Sequence, residues 1–564
     1  MSVQSTSNDI LGEFLGNESF PVKWQSEQDK KEFWWFDDLH VPRPVSPLYF
    51  DIGGWWGEAC KYMYRRFGVP FGKDWQARNI NGYVYTAVMR REPEEAAKLA
   101  PYFAMMLPVY ATRFLKWWDD RYLPEIKKNL EYLDTFAYEE ASLPEMMVLL
   151  EDALDIQERH LRIHWILNLA QFAAFQQFGQ VAGEVAGPEA AAQYSGKVLV
   201  SVQDKNWESS RDLWRIKEEI KSDPSLKSIF TEQDSMDNII ASLKSSPRGQ
   251  EILKAIDAYK EEYGYKAVYT HEYTYQLWKE NPAPIYEMLR NYLDSDYDYH
   301  KDITKVAEEQ KAAIEGLRAL IQNDEDSQKF ENALELALAM APLTPDHHFY
   351  IDQGTYARMR ISIKELGKKF AARGDINKSE DIFYLLYDEI RELSATPDAF
   401  DARARVAERR IEQEKAREVT PRDWVGTADH WSLYEQAYVG VWGYPERFEL
   451  GKTKDLETTE IQGLAASAGV VEGIARLVND PAEFDQLQQG EILVCRMTNP
   501  AWTLLFSKIS GLVTDAGGAL SHPAVIAREY GIPAVTSTLD ATSKIKSGQL
   551  IRVDGAKGIV SIIE

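Results

Sequence analysis

The residue types best suited to chemistry lie near the C-terminus, in the run Gly511-Leu-Val-Thr-Asp-Ala-Gly-Gly-Ala-Leu-Ser-His522. A short strand ending at Thr514 leads into a glycine turn at Gly517 and Gly518. Ser521 then stands at a helix N-cap position, His522 falls in the first turn, and Gly531 sits where that helix should stop. Helix N-termini present unpaired N–H groups and a partial positive charge. A histidine there can carry a phosphoryl group on its ring while the backbone stabilises the charge. Arg528, six residues on, is placed to come back toward that site or to brace the loop.

A second set of residues suits the receiving end of such a transfer. Arg360 and Lys364 are four apart on an expected helix and share a face. Together they can clamp phosphoryl oxygens, the arginine by its fork and the lysine as a point charge. Arg358 points elsewhere on that helix and is the weaker candidate. A hydroxyl acceptor must lose a proton, and a positioned histidine or carboxylate can take it. His347 and His348 just precede the helix, with Asp352 close by, and His348 is the preferred base. His40, in His40-Val-Pro-Arg-Pro-Val-Ser-Pro-Leu48, is a further candidate. His160 and His164 share a helix face at a spacing compatible with a metal, but no third ligand is evident and the run is apolar. They read as satisfied interior histidines, and no metal site is expected.

The elements that must position these residues fall into distinct textures. Residues 1–90 are irregular, aromatic-rich and punctuated by proline, so short strands and loops wrapped on a helical body are expected. From about 92 to 418 apolar residues recur at spacings of three and four, with long helices expected over 143–179 and 350–373. Residues 205–262 are more charged and read as shorter surface helices. A polar, unpatterned stretch at 441–460 is the linker candidate. Short β-type runs with glycine and proline turns then mark 461–564 as a compact β/α domain. The expected fold is multidomain: a large, mainly α-helical N-terminal domain (1–90 with 91–440) plus a C-terminal β/α domain at 461–564.

Thr514, Asp515, Gly517, Gly518, Ser521, His522, Ala524, Ala527, Arg528, Glu529, Gly531, Ile532, Pro533, Ala534 and Val535 all fit one long pattern. That pattern resembles the swivelling phosphohistidine domain of the phosphoenolpyruvate-utilising enzymes. The resemblance implies that His522 is the phosphoryl carrier. The helical part, through Asp346–Asp352, Tyr356–Gly367 and Gly374–Leu385, resembles the acceptor domain of rifamycin phosphotransferases, which carries an arginine and a lysine at the Arg360 and Lys364 positions.

The chain has no G-x-x-x-x-G-K-[ST] loop and no stretch resembling an ATP-grasp domain. The arrangement is therefore similar to split phenylphosphate and 4-methylphenyl phosphate synthases. That likeness implies an ATP-dependent enzyme in which a separate ATP-grasp-type subunit binds ATP and Mg2+, charges His522 and releases AMP and phosphate. The acceptor would be a phenolic small molecule. The tryptophan pairs Trp34-Trp35, Trp55-Trp56 and Trp117-Trp118 suit a pocket for a flat ring. Two alternatives remain: a phosphotransferase acting on an antibiotic or other alcohol, and a non-catalytic phosphocarrier.

A net charge of −25 argues against a surface for nucleic acid or anionic membrane. Two cysteines, Cys60 and Cys495, give no disulfide framework, and the polar N-terminus lacks a secretory pattern. A cytoplasmic location is expected.

Overall fold

The computed structural model describes residues 20–38, 40–54, 56–233, 235–427, 460–479, 481–498, 502–506, 508–517 and 521–563. The proposed linker from 441 to 459, Gly518 and Trp55 lie outside the described residues.

The aromatic N-terminal stretch is more regular than its prolines suggest. Strands β1 (Phe33–Phe36), β2 (Gly72–Ile80), β3 (Tyr83–Arg90) and β4 (Trp424–Gly426) form a sheet in the order β2-β3-β1-β4. Strands β2 and β3 make a hairpin whose turn is Asn81-Gly82, with φ of 52° and 89°. Positive φ at both turn positions is what a tight hairpin matching the strand twist requires, and Asn-Gly supplies it with little strain. Gly82 is needed twice over, because a Cβ there would lie 2.7 Å from the Cβ of Ala416. Strand β3 is buried along all but its last residue. Trp34, Trp35, Phe36 and Tyr85 are buried with it, so most of the aromatic density in this region is core.

From Pro93 to Arg417 the chain is mainly helical. The helix Pro93–Trp117 passes through a wide turn, Trp118–Tyr122, into Leu123–Asp134. The longest helix, Leu143–Ala186, is a single element of 44 residues. The charged stretch after residue 204 forms four shorter helices, Lys205–Lys221, Pro224–Glu232, Met236–Lys244 and Pro247–Tyr263. Their N-caps are Asp204, Asp223, Ser235 and Ser246, each accepting backbone N–H groups of the first turn. Another wide turn, His348–Gln353, leads into the helix Gly354–Arg373.

The last hundred residues are β/α, as expected. Strands β5 (Glu460–Gln462), β6 (Leu464–Ser467), β7 (Val470–Leu477), β8 (Ile492–Cys495), β9 (Gly511–Thr514), β10 (Ala534–Thr536), β11 (Leu550–Asp554) and β12 (Ile559–Ile562) form an eight-stranded sheet. Its order is β5-β12-β11-β7-β8-β9-β10-β6. The β7-β8-β9-β10 centre is parallel and the flanking pairs are antiparallel. Ile492, Val494, Val513, Val535, Ile551 and Val553 fill its core, the continuous apolar runs expected of strands buried on both faces.

Chain contacts gather into two compact units. One comprises Met1–Ala173, Tyr269–Tyr275 and His347–Ala437; the other comprises Ala174–Val268, Gln276–Asp346 and Tyr438–Glu564. Among the described residues no helix is long and apolar enough to cross a membrane.

Candidate functional site

The carrier loop belongs to the second unit. Strand β9 lies between parallel neighbours β8 and β10, with Thr514 opposite Cys495 and Val513 opposite Val535. It delivers the chain to one end of the sheet, where open parallel sheets place their ligand-binding turns. Asp515 is buried and accepts from the Thr542 amide (3.0 Å) and the Thr538 and Thr542 hydroxyls. Burial pushes its pKa up despite those bonds. Thr514 donates its hydroxyl to the Ala516 carbonyl at 2.7 Å and fixes the start of the turn. Gly517 has φ of +121°, and a Cβ there would sit 2.7 Å from Ser521 Oγ and 3.2 Å from Pro523 Cγ. Both the backbone angle and the space therefore demand glycine.

The helix His522–Glu529 starts directly at the histidine. Ser521 holds the N-cap position in extended backbone, but its side chain makes no capping bond. Pro523 occupies the first turn, where a missing N–H costs nothing. Arg528 donates Nε to the Ala466 carbonyl (2.7 Å) and Nη1 to the Gly196 carbonyl (3.0 Å). It thus ties the helix to β6 and to the helix Pro188–Val198.

The acceptor candidates belong to the first unit. Arg360 is 2 % exposed, donates Nη1 to the Tyr273 carbonyl and lies over the Phe383 ring at 5.1 Å. One turn on, Lys364 pairs with Glu380 at 3.0 Å. Burial would raise the Glu380 pKa, but the Lys364 bond and the local backbone outweigh it and hold the carboxyl at about 2. Arg358 grips Asp134 with both arms of its fork and donates to the Gly354 carbonyl at 3.0 Å. That anchors the helix to Leu123–Asp134, a bracing role.

Asp352 gathers the histidines. It is 2 % exposed. His164 Nδ1 lies 3.3 Å from Oδ1, His347 Nε2 lies 3.9 Å from Oδ2, and His348 Nδ1 touches Oδ2. Burial would raise the pKa of this carboxyl, but His164 and His348 override it and hold it well below the usual range. The rings of His164 and His347 are 4.8 Å apart, and those of His347 and His348 are 4.3 Å apart. His40 bonds through Nδ1 to Asp37 at 2.8 Å and meets His271 edge-on at 5.7 Å. Burial acts to lower the His40 pKa, but Asp37 outweighs it and the net shift is upward. His271 packs on Tyr356 at 4.8 Å, and burial drives its pKa down to about 3.

The structure therefore brings His347, His348 and Asp352 together, and the Asp352 charge also acts on His40 and His271. His160 is an interior histidine, as expected: 0 % exposed, Nδ1 on Thr355 Oγ1 (2.8 Å) and Nε2 on Asn129 (3.1 Å). His164 departs from that expectation and joins the Asp352 group. His271 carried no sequence signal, since nothing around it has a chemical spacing.

Two family descriptions match the chain. Residues 487–558 match the mobile domain of PEP-utilising enzymes, and residues 166–344 match the fourth domain of rifampicin phosphotransferase. The first match contains the Gly517 turn and His522. These two stretches are similar to the phosphohistidine-swivel, PEP-utilising enzymes related to rifampicin phosphotransferase.

Proteins similar to this chain include the uncharacterised phosphotransferase YvkC of Bacillus subtilis, 27 % identical over 95 % of this chain and 63 % of that protein. Chondramide synthase cmdD of Chondromyces crocatus is 29 % identical over 96 % of this chain and 14 % of its own length. Rifampicin phosphotransferase of Bacillus cereus is 31 % identical over 58 % of this chain and 36 % of its own length. The chain thus spans less than two thirds of the length of each of these proteins.

These relatives correct the expected division of labour. In each of them the matching stretch is part of one longer polypeptide. The reading of the chain as the carrier-and-acceptor subunit of a split phenol-phosphorylating enzyme, active only with a separate ATP-grasp subunit, is overturned. None of the three relatives described above is a phenylphosphate synthase, and the phenolic acceptor falls with that reading.

Proposed function

We propose that the chain is the carrier and acceptor portion of a phosphotransferase that moves a phosphoryl group from His522 to a hydroxyl of an antibiotic or another small-molecule alcohol. The observation that carries this reading is the start of the His522–Glu529 helix at the histidine itself, directly after the turn that only glycine at 517 permits. ATP with Mg2+ is the donor that the kinship implies. Mg2+ asks for oxygen ligands, and the three imidazoles beside Asp352 do not suit it, so no step here is assigned to Mg2+ or nucleotide on this chain.

In the transfer step the acceptor oxygen attacks phosphorus, the P–N bond to His522 breaks, and its electron pair returns to the ring. Arg360 and Lys364 neutralise the charge on the moving group. His40 is the base best supported by geometry. With Nδ1–H donated to Asp37, its other nitrogen takes the hydroxyl proton, and the Asp37 carboxylate stabilises the imidazolium that forms. His348, with its Nδ1 beside Asp352, has a comparable arrangement and stands as the second candidate base. The polar stretch 441–460 is the tether we assign to the passage of His522 between donor and acceptor.

The test is direct. The protein is treated in parallel with phosphoramidate and with ATP–Mg2+, and acid-labile phosphate is mapped by mass spectrometry. His522 should be labelled, and His522→Ala should carry no label. Chasing the labelled protein with a panel of alcohols, rifampicin first, should discharge it onto a hydroxyl. Equal labelling of wild type and His522→Ala would refute the carrier assignment.

A further inference from the structure

The Asp352 group has a geometry that phosphoryl transfer alone does not require. A carboxylate this deeply buried normally has a full hydrogen-bond set or a cationic partner. Among the described residues, the ionic neighbours of Asp352 are three imidazoles, with no lysine or arginine. Neither carboxylate oxygen, nor Nδ1 of His164, makes a hydrogen bond of acceptable geometry. These are buried polar atoms turned toward one another. One ligand atom each from His164, His347 and Asp352 lies within 4.8 Å of the other two.

We propose that His164 Nδ1, His347 Nε2 and the Asp352 carboxylate bind one divalent transition-metal ion of the Zn2+ class. The spacing fits. Ligand atoms at bonds of about 2.0–2.1 Å in a tetrahedral site stand about 3.3–3.4 Å apart. The His164–Asp352 separation of 3.3 Å already matches that, and the His347–Asp352 separation of 3.9 Å needs only a small ring rotation. Two imidazoles and one carboxylate select first-row transition ions over Mg2+ and Ca2+, which take oxygen shells. Three protein ligands leave one position open, the arrangement of a site that can also take water or a substrate oxygen.

The elements explain why the triad is held. His164 comes from the long helix Leu143–Ala186, a rigid element. His347 ends a short helix, and Asp352 lies in the wide turn His348–Gln353, where an i→i+5 bonding pattern lets neighbouring side chains converge. A bound ion would neutralise Asp352 and pin that turn to the long helix, two turns ahead of Arg360 on the same run of chain.

The experiment uses the full-length untagged protein. It is stripped with a chelator and titrated with Zn2+ against a colorimetric competitor and by calorimetry. The expected result is one high-affinity Zn2+ per chain, with X-ray absorption showing two imidazoles and an oxygen ligand. His164→Gln and His347→Gln should each weaken binding at least 100-fold. His160→Gln, on the same helix but bonded to Thr355 and Asn129, should bind as wild type does. Circular dichroism of each stripped variant verifies folding. Should His347→Gln fail to fold, His164→Gln, whose side chain is 15 % exposed, decides alone. No stoichiometric Zn2+ binding, or binding unchanged in His164→Gln, overturns the proposal. Because the readout is metal binding, it stands or falls separately from His522 labelling.

Discussion

His160 and His164 sit one turn apart on one helix and answer to different chemistry. His160 is sealed between Thr355 and Asn129. With the Asn129 amide donating to Nε2, Nδ1 carries the hydrogen, so the ring is bound as the neutral form. Burial depresses its pKa to about 3. Unfolded, a histidine titrates near 6.5, so between about pH 6.5 and 3 the unfolded chain binds the extra proton and stability falls as pH falls. The full shift corresponds to several kcal/mol, on the order of 1.4 kcal/mol per pH unit. Denaturation midpoints at pH 7.5 and pH 5 should show a steeper acid loss in wild type than in His160→Gln. Equal slopes would remove the neutral-histidine account. For Arg360→Lys we expect normal labelling of His522 and transfer to the alcohol reduced at least 100-fold, about 2.7 kcal/mol of transition-state stabilisation. The lysine keeps the charge but loses the fork that reaches the Tyr273 carbonyl and covers Phe383. Loss of both steps together would make Arg360 a structural residue only. His522 and the Arg360–Lys364 pair stand out as candidates in the sequence because their signals are local: a turn, a helix start, a four-residue spacing. His164 and His271 were not readable as site residues. Asp352, the partner of His164, and Tyr356, on which His271 packs, are remote in sequence, and only packing brings them together.

At the scale of elements, glycine decides the carrier loop. Gly517→Ala would impose a side chain at φ +121° and within 2.7 Å of Ser521 Oγ. A backbone held in so sparse a region costs about 1–3 kcal/mol. The turn should relax and carry the N-terminus of the His522 helix with it. We expect labelling of His522 by phosphoramidate to slow at least tenfold while the circular dichroism spectrum stays that of wild type. An unchanged rate would mean that the turn does not set the histidine. The N-terminal sheet shows why some elements escaped a reading by pattern. Proline and tryptophan density around residues 33–56 masked the plain hairpin signal Asn81-Gly82. Strand β4 could not be anticipated at all, since three residues at 424–426 acquire their strand character by pairing with β1. The long helices were readable because their apolar spacing persists over many turns. Their ends were fixed by caps such as Asp204 and Asp298, which accept first-turn N–H groups.

At the scale of the molecule, a carrier must be held in one place firmly enough to be loaded and weakly enough to leave. Within the second unit, the described contacts of the His522 helix region with helices of the 174–346 stretch include aromatic and polar ones. Tyr530 stacks on Tyr297 at 6.0 Å and its hydroxyl meets that of Tyr292 at 3.4 Å. Arg528 reaches the Gly196 carbonyl, and Lys305 reaches the Gly531 carbonyl at 3.4 Å. The aromatic contact is the largest apolar element among these, and such pairs contribute about 0.5–1.5 kcal/mol beyond the area they bury. The other contacts are a hydroxyl pair and two side chains on carbonyls, each contributing about 0.5–3 kcal/mol. Each such contact is small enough for a ligand's differential affinity to offset it. Tyr530→Ala should therefore loosen these contacts without unfolding either partner. Hydrogen exchange should quicken at 188–198, 299–318 and 522–531, while the sheet strands β7 to β11 keep their protection. If exchange at 299–318 does not change, Tyr530 is not what holds the carrier there, and Arg528→Ala should then produce the release instead.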